Sequence, residues 1–457
     1  MFSAFTNCFK IPELRNRILF TLGIILIIRV GCAIPTPGVN AAVLGHYFEN
    51  VVDSEKGGSV MALFNIFSGG ALESCAIFSL GIMPYISASI IIQLLTAVIP
   101  RLAKIAREEG GRQKITQYNR YLTLILCLFQ GGLLAHGFAY PEKNPLLPGI
   151  AKTIESQGPL VSDVGFQYYF VAVVTLTAGT MFMMWLGEQI TERGIGQGIS
   201  IIVMIGILAR LPAAIMQAYT LFSDKLNLVV ILLLVLFLFG VIAAVVAVTS
   251  AERKIPVQIA KRMVGQKLMG GQTQHIPLKV NYAGVMPIIF AQAILVFPQT
   301  LLMVPQLQSW SGFNGLMSMI NPGTVLHAVL YGLMIFFFSY FWVSTQFNPV
   351  QIADDLKKNG GYIPGRQPGK PTADFLAYTM TRLTLAGAAF LTVIALLPEI
   401  ISYNMGVPFL TAQFFGGTSL LIAVGVVLDS MRQAETFLLQ RHYDGFLKKG
   451  RATRGRG

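Results

Sequence analysis

Phe64–Ala97 reads FNIFSGGALESCAIFSLGIMPYISASIIIQLLTA. It opens as a mildly polar, glycine-rich piece, Phe67-Ser-Gly-Gly-Ala-Leu-Glu-Ser74, and becomes an apolar run from Cys75 to Ile99. At about 1.5 Å per residue, a run of about 25 residues crosses a hydrocarbon layer of roughly 30 Å. Gly81, Pro84, Ser79, Ser87 and Ser89 are unusual in a plain anchor. The piece before it is too short to span, yet Met61, Leu63, Phe64, Ile66 and Phe67 make it too apolar for a solvated loop. Such a segment is tolerated at membrane depth only where protein buries it or where it lines a cavity. It reads either as a re-entrant packing element or as a movable piece in a pathway.

Composition extends that reading to the whole chain. Of 457 residues 54% are hydrophobic and 12% charged, about half the charge of a soluble domain. Apolar runs of spanning length recur near 18–34, 75–99, 121–139, 166–187, 199–217, 228–249, 283–304, 325–347, 375–397 and 414–431. In lipid every backbone group needs an internal partner, so these runs predict ten helices in an α-helical bundle. The first run has no small-residue cleavage site and reads as an anchor rather than a signal peptide.

Charge orients the bundle. With a cytosolic amino terminus, the six cytosolic pieces carry 27 Lys and Arg against 12 Asp and Glu, whereas the five outer loops carry 5 against 9. Basic residues concentrate on the cytosolic side of membrane proteins, so both termini are expected in the cytosol. The short loop Gly187–Gly198 goes slightly against the rule. Arg29 and Arg382 fall inside spans, and Arg29 reads as structural, snorkelling or pairing within the bundle. The outer loop 36–60, with Glu49, Asp53 and Glu55, reads as a solvated cap.

Catalytic and metal chemistry find little support. Cys8, Cys32, Cys75 and Cys127 are far apart, and the five histidines have no partner at ligand spacing. No G-x-S-x-G, H-E-x-x-H or Walker pattern occurs. The expectation is a chain without enzymatic activity, cofactor or metal. Gly194, Gly196 and Gly198 make a tight turn rather than a phosphate cradle, because no strand precedes them. A secondary transporter also uses broken helices, but the spans show no carboxylate near a helix centre to bind a proton or solute. A purely structural scaffold does not account for the interrupted second span.

Two cytosolic loops exceed what connecting neighbouring helices requires. Ser250–Asn281 carries Arg253, Lys254, Lys261, Arg262, Lys267 and Lys279 on alternating stretches with a Gly270-Gly271 turn, the pattern of an extended hairpin. Asn348–Pro371 carries Lys357, Lys358, Arg366 and Lys370 among glycines and prolines. Basic projections of this kind suit an acidic partner or ribosomal RNA phosphates.

Several strings then match one family: Phe67-Ser-Gly-Gly-Ala-Leu72, Gly81-Ile-Met-Pro-Tyr-Ile-Ser-Ala-Ser-Ile-Ile-Ile-Gln93, Gly187-Glu-Gln-Ile-Thr-Glu-Arg-Gly-Ile-Gly196, His275-Ile-Pro-Leu-Lys-Val-Asn281, Met380-Thr-Arg-Leu-Thr384 and Phe415-Gly-Gly-Thr-Ser-Leu-Leu421. Across practically its whole length the chain resembles the bacterial SecY family, the channel subunits of the Sec protein-translocation complex.

The resemblance implies an all-α polytopic membrane protein, with ten transmembrane helices in two inverted five-helix halves around a central pore. It divides the chain into 1–223, 224–435 and a basic cytosolic tail, 436–457. A plug of about 61–73, including Phe64, Asn65, Phe67, Ser68, Gly69, Gly70 and Leu72, would seal the outer funnel. Ile82, Ile86, Val203, Ile289 and Ile422 would form the constriction. The second and third spans against the seventh and eighth would form a lateral gate, with Ser87, Gln93, Gln130 and Gln292 as polar residues across the seam. Loops 250–281 and 348–371 would engage a motor and the ribosome through Arg253, Lys254, Lys261, Arg262, Lys267, Lys357, Lys358 and Arg366. The partners implied are SecE- and SecG-like membrane subunits, a SecA-like motor ATPase, the ribosome, signal peptides and nascent polypeptides, and anionic lipids. The location implied is the bacterial cytoplasmic (inner) membrane. One departure stands out: where such chains commonly read Pro-Gly-Ile-Arg-Pro-Gly, this one reads Pro364-Gly-Arg-Gln-Pro-Gly369. Arg366 therefore lies one residue before the usual arginine position, now Gln367.

Overall fold

Each of the ten apolar runs contains a helix, because helices let such a chain satisfy its backbone groups without water. The computed structural model describes residues 11–48, 60–108, 110–144, 147, 149–223, 228–259, 262–264, 267–269, 273–304, 307, 310–405 and 409–453. The principal helices are α1 Pro12–Gly31, α2 Val60–Phe67, α3 Met83–Val98, α4 Gly111–Ala139, α5 Phe166–Arg193, α6 Gly198–Ala209, α7 Leu228–Ser250, α8 Met286–Thr300, α9 Val325–Gln346, α10 Lys370–Met405 and α11 Thr418–Thr453. Of the described helices, 6 are long and apolar enough to cross a membrane, or 7 if α3 and the bent piece after it form one span. α1 is 20 residues long but carries Glu13 in its first turn and Arg29 in its last. Leu236–Ser250 and α8 are shorter apolar helices.

Neighbour contacts run in a closed circuit: α3 packs on α4, α4 on α5, α5 on α6, α6 on α11, α11 on α10, α10 on α9, α9 on α8, and α8 returns to α3. α1 lies against α5, α7 against α11, and the short α2 against α6. The outward faces stay apolar, with Leu26, Phe170, Leu236, Phe239, Leu333 and Val393 all exposed. A soluble protein would bury many of these, whereas a lipid-facing belt keeps them outside.

The apolar run 75–99 is not one helix. Residues 68–82 form packed turns, and α3 begins only at Met83. Gly69, Gly70 and Gly81 have φ of 70°, 87° and 58°, and Cys75 itself sits at 45°, a region that cannot propagate a right-handed helix. Pro84 then occupies the first turn of α3, where its missing N–H costs nothing. After Val98 the chain bends by 107° into Pro100–Ala106.

Of the outer loop, Glu49, Asp53 and Glu55 lie outside the described residues. Its described part, Ala41–Tyr47, is helical and buries Val43, Leu44 and Tyr47 completely.

On the basic side, β1 (Glu252–Ile259) pairs antiparallel with β4 (Thr273–Lys279), Ile255 opposite Ile276. Arg262–Val264 pairs with Lys267–Met269 within that projection. Gly361–Tyr362, from the next long loop, joins the other edge of β1. Tyr362 Oη donates to Gln258 Oε1 at 2.8 Å. The two loops are thus one small sheet, its underside packed through Ile255, Val257, Leu278 and Ile363 on Leu376 and Met380.

Candidate functional site

The segment 61–80 sits inside the helix circuit as a folded cap. Met61, Leu63, Asn65, Ile66, Phe67, Ser68, Ala71 and Leu72 are all buried. A segment of turns cannot satisfy itself as a helix does, so its polar side chains supply the missing bonds. Asn65 Oδ1 accepts from the Glu73 N–H at 3.2 Å, and its Nδ2 donates to Glu73 Oε2 at 3.1 Å. Ser68 Oγ donates to the Asn65 carbonyl and accepts from the Leu72 N–H, both at 3.2 Å. Ser79 Oγ donates to the Ala71 carbonyl at 3.0 Å.

The cap is fastened on one side. The Thr36 N–H donates to the Cys75 carbonyl at 2.7 Å, and the Ile77 N–H to the Ile34 carbonyl at 3.0 Å. Arg29 Nη1 donates to the Gly69 carbonyl at 2.9 Å, and Arg210, just beyond α6, forms an ion pair with Glu73. The backbone of Gly69 rests on α6 so closely that a Cβ there would stand 2.8 Å from the Cα of Gly206. Only two glycines fit that crossing.

On the opposite side no hydrogen bond to the segment is found among the described residues. Met61, Phe64 and Leu72 share a cavity with Gln130, Leu133 and Leu134 of α4 and Thr300 of α8. Leu63 faces Gln292, Leu295, Val296 and Gln299 of α8. The side-chain oxygens of Gln292 and Gln299 are buried without a hydrogen-bond partner. Ser87 is half-buried on α3, and Gln93 Nε2 donates to Ser89 Oγ of its own helix at 3.1 Å. Of the four polar residues expected at the seam, Gln130 and Gln292 therefore border the cap, while Gln93 bonds locally.

The five aliphatic residues of the expected constriction belong to one continuous buried cluster. Ile82 is 1% exposed, Ile86 4%, Val203 0%, Ile289 4% and Ile422 0%. Ile82 caps α3 and Ile86 lies one turn on, Val203 is on α6, Ile289 on α8 and Ile422 on α11. Their helices pack in pairs, α3 on α8 and α6 on α11. A set of branched aliphatic side chains offers no hydrogen bond and no charge, so a closed constriction built from it excludes ions by dewetting.

Of the basic residues, Arg253 and Lys254 lie on β1 and are exposed. Arg262 and Lys267 lie on the short strand pair, and Lys261 is outside the described residues. Lys357 and Lys358 end the helix Pro349–Lys358. Arg366 is exposed in a turn between Gly365 and Gly369, both at positive φ, and its guanidinium stacks 5.1 Å from the Phe375 ring centroid. Arg120 of α4 grips Glu188 of α5 through two bonds of 3.1 and 2.6 Å. The glycine turn 194–198 is a tie: Gly196 N–H donates to Gln433 Oε1 at 2.8 Å, and Arg17 Nη1 to the Gly194 carbonyl at 3.3 Å.

Sequence reasoning missed three charged residues of the interior. Arg210 falls within the run 199–217 yet received no role, Glu73 stands in the mildly polar stretch, and Glu399 lies just beyond the run 375–397. Glu399 instead lies in α10, 2.8 Å from Nδ1 of the buried His327 on α9. The available signal was position: Arg210 lies within an apolar run and the two acids at the edge of one, where an unpaired charge is costly.

The SecY family model matches residues 76–431. "Protein translocase subunit SecY" of Escherichia coli (strain K12) is 47% identical over 448 residues, covering 96% of this chain and 94% of that one. The protein of the same description from Thermotoga maritima is 40% identical over 457 residues and covers 100% of both chains. Among solved structures, "The structure of a protein conducting channel" matches with TM-score 0.59 at 18% identity, over 94% of this chain and 96% of that one. "The plug domain of the SecY protein stablizes the closed state of the translocation channel and maintains a membrane seal" matches with TM-score 0.61 at 19% identity, over the same shares. "Sec61 in the Canine ribosome-channel complex from the endoplasmic reticulum" matches with TM-score 0.56 at 17% identity, again over the same shares. With a family model covering most of its length and relatives above 40% identity across nearly all of it, this chain belongs to the SecY family.

Proposed function

We propose that this chain is the protein-conducting channel of a bacterial cytoplasmic membrane. Unfolded secretory polypeptides pass through it, and apolar transmembrane segments leave it sideways into lipid. The observation that carries this reading is the folded segment 61–80 held within a closed circuit of helices, beside five buried aliphatic side chains from four of them. Segment 61–73 acts as the plug. Ile82, Ile86, Val203, Ile289 and Ile422 act as the constriction. The seam where α3 and α4 meet α8 and α9 opens as the lateral gate, with Ser87, Gln93, Gln130 and Gln292 contributing weak polar contacts. Interhelical hydrogen bonds in membranes average only about 0.6 kcal/mol, so an apolar signal segment is able to part them.

The halves 1–223 and 224–435 move against one another, with both termini in the cytosol. The small sheet of 250–281 and 348–371 is the docking face for a motor ATPase and for ribosomal RNA. Solved relatives include ribosome-bound channels, which supports the ribosome as a partner. SecE- and SecG-like subunits and anionic lipids complete the membrane assembly. This chain supplies the conduit and no catalysis. Arg366 takes the role of the usual loop arginine, since a guanidinium on a long stem reaches the same partner group from the adjacent position.

The test uses sealed vesicles holding the purified chain with its membrane subunits. Motor ATPase and ATP should drive a labelled secretory precursor into a protease-protected state, while a labelled small solute should not accumulate. Solute uptake without precursor protection would overturn the reading.

A further inference from the structure

The plug carries one acidic side chain, Glu73, and the structure meets it with an arginine that the pore itself does not need. Arg210 ends α6 and pairs with Glu73; the two side chains are 12% and 22% exposed. Asn65 braces the same carboxylate from within the plug. The stem of Arg210 runs along Gly70, its Cδ 3.6 Å from where a Cβ would stand, an ordinary contact distance. Arg29 of α1 adds a second point by donating to the Gly69 carbonyl. Both arginines come from the side on which the segment's backbone is already bonded, whereas the His327–Glu399 pair of α9 and α10 lines the cavity beside Leu63 on the other.

We propose that Glu73 and Arg210, with Arg29 as the second point, form an electrostatic latch that sets how often the plug leaves its seat. This rests on the reading of 61–73 as a plug. The physical reason is a difference between states. With the plug seated, both charges are mutually neutralised in a half-buried place. With the plug displaced, Arg210 loses its only described carboxylate partner and Glu73 its only described cation. A group that stabilises one state alone shifts the population toward it. The pair therefore biases the channel closed without touching the constriction, and its strength is independent of the aliphatic residues.

The experiment records resting conductance of the full chain with its membrane subunits in planar bilayers. Glu73→Gln and Arg210→Gln should each raise the resting open fraction about tenfold. The double neutralisation should do no more than either alone, and the charge swap Glu73→Arg with Arg210→Glu should return conductance toward the parental value. Arg210→Lys should stay closed, which guards against a variant that merely misfolds. Monodisperse behaviour in detergent is required of each. Parental conductance in both neutralised variants would overturn the latch. So would multiplicative effects in the double variant, or a swap no better than the singles. Deletion of 61–73 in the same series separates the two ideas. If deletion raises the leak and neutralisation does not, the latch alone fails; if deletion leaves the leak unchanged, the plug reading itself fails.

Discussion

The two sides of the folded segment 61–80 are built from different physics. Toward α1 and α6 it is held by backbone hydrogen bonds from 34–36, by Arg29 and Arg210, and by a glycine crossing at Gly69 and Gly206. Toward α4 and α8 it meets leucines, a threonine and glutamines whose oxygens Gln292 Oε1 and Gln299 Oε1 find no partner. Directional bonds fix position, whereas apolar contacts only exclude water and let surfaces slide. Mechanically the segment belongs to the amino-terminal helices. The seam at α8 can part without breaking any hydrogen bond found among the described residues of the segment.

The largest effect is expected where both sides depend on the same closure. Replacing Ile86, Ile289 and Ile422 together by glycine removes the collar beneath the plug and should raise resting ion conductance manyfold. Emptied packing sites also cost a few kcal/mol each, so thermal stability in detergent should fall in parallel. Parental conductance in properly inserted protein would detach the seal from these residues.

Next comes the bonded side. Gly206→Val puts a branched side chain where a Cβ would already meet Gly69 at 3.3 Å. With backbone on both sides of the crossing, the plug must lift, and leak should rise severalfold. The matching change on the apolar side, Leu63→Ala, should leave the plug seated and raise leak far less, despite a packing loss of about 2–5 kcal/mol. Equal leaks from the two variants would erase the asymmetry. Bilayer recordings under one salt condition compare them directly.

A change remote from both sides sharpens the contrast. Arg366→Ala should leave resting conductance untouched and lower motor-driven translocation, with Arg366→Lys recovering only part of it. Normal translocation in both variants would remove Arg366 from the partner contact. The smallest effect belongs to Arg120→Gln. Its bond to Glu188 is partly exposed, and such pairs contribute about 0.2–1 kcal/mol. A slight drop in melting temperature, with no change in leak, is expected.

Much of the helical plan was legible because it is local. Apolar runs of spanning length and the cytosolic excess of arginine and lysine are readable without knowing any contact, and the helices stand where those runs lie. The alternation in Ile255-Pro-Val-Gln-Ile likewise announced β1. The run 75–99 is only partly helical because hydropathy ignores backbone handedness: Cys75 and Gly81 hold positive φ, so α3 begins only at Met83. The edge pairing of Tyr362 with Gln258 joins residues about a hundred apart and has no local signature. The same holds for Arg210 with Glu73 and for His327 with Glu399. Only the fold brings each charge its partner. Arg29 was visible inside its span, but nothing nearby in sequence points to the Gly69 carbonyl.

The central claim is that a polypeptide in transit touches the five aliphatic residues. A photoreactive amino acid placed at Ile86, Ile289 or Ile422 reads this directly, using a precursor stalled midway by a folded domain at its end. Adducts with the stalled precursor should form at all three positions and vanish when the motor or ATP is withheld. Adducts only with lipid or with neighbouring helices of the same chain would contradict the account.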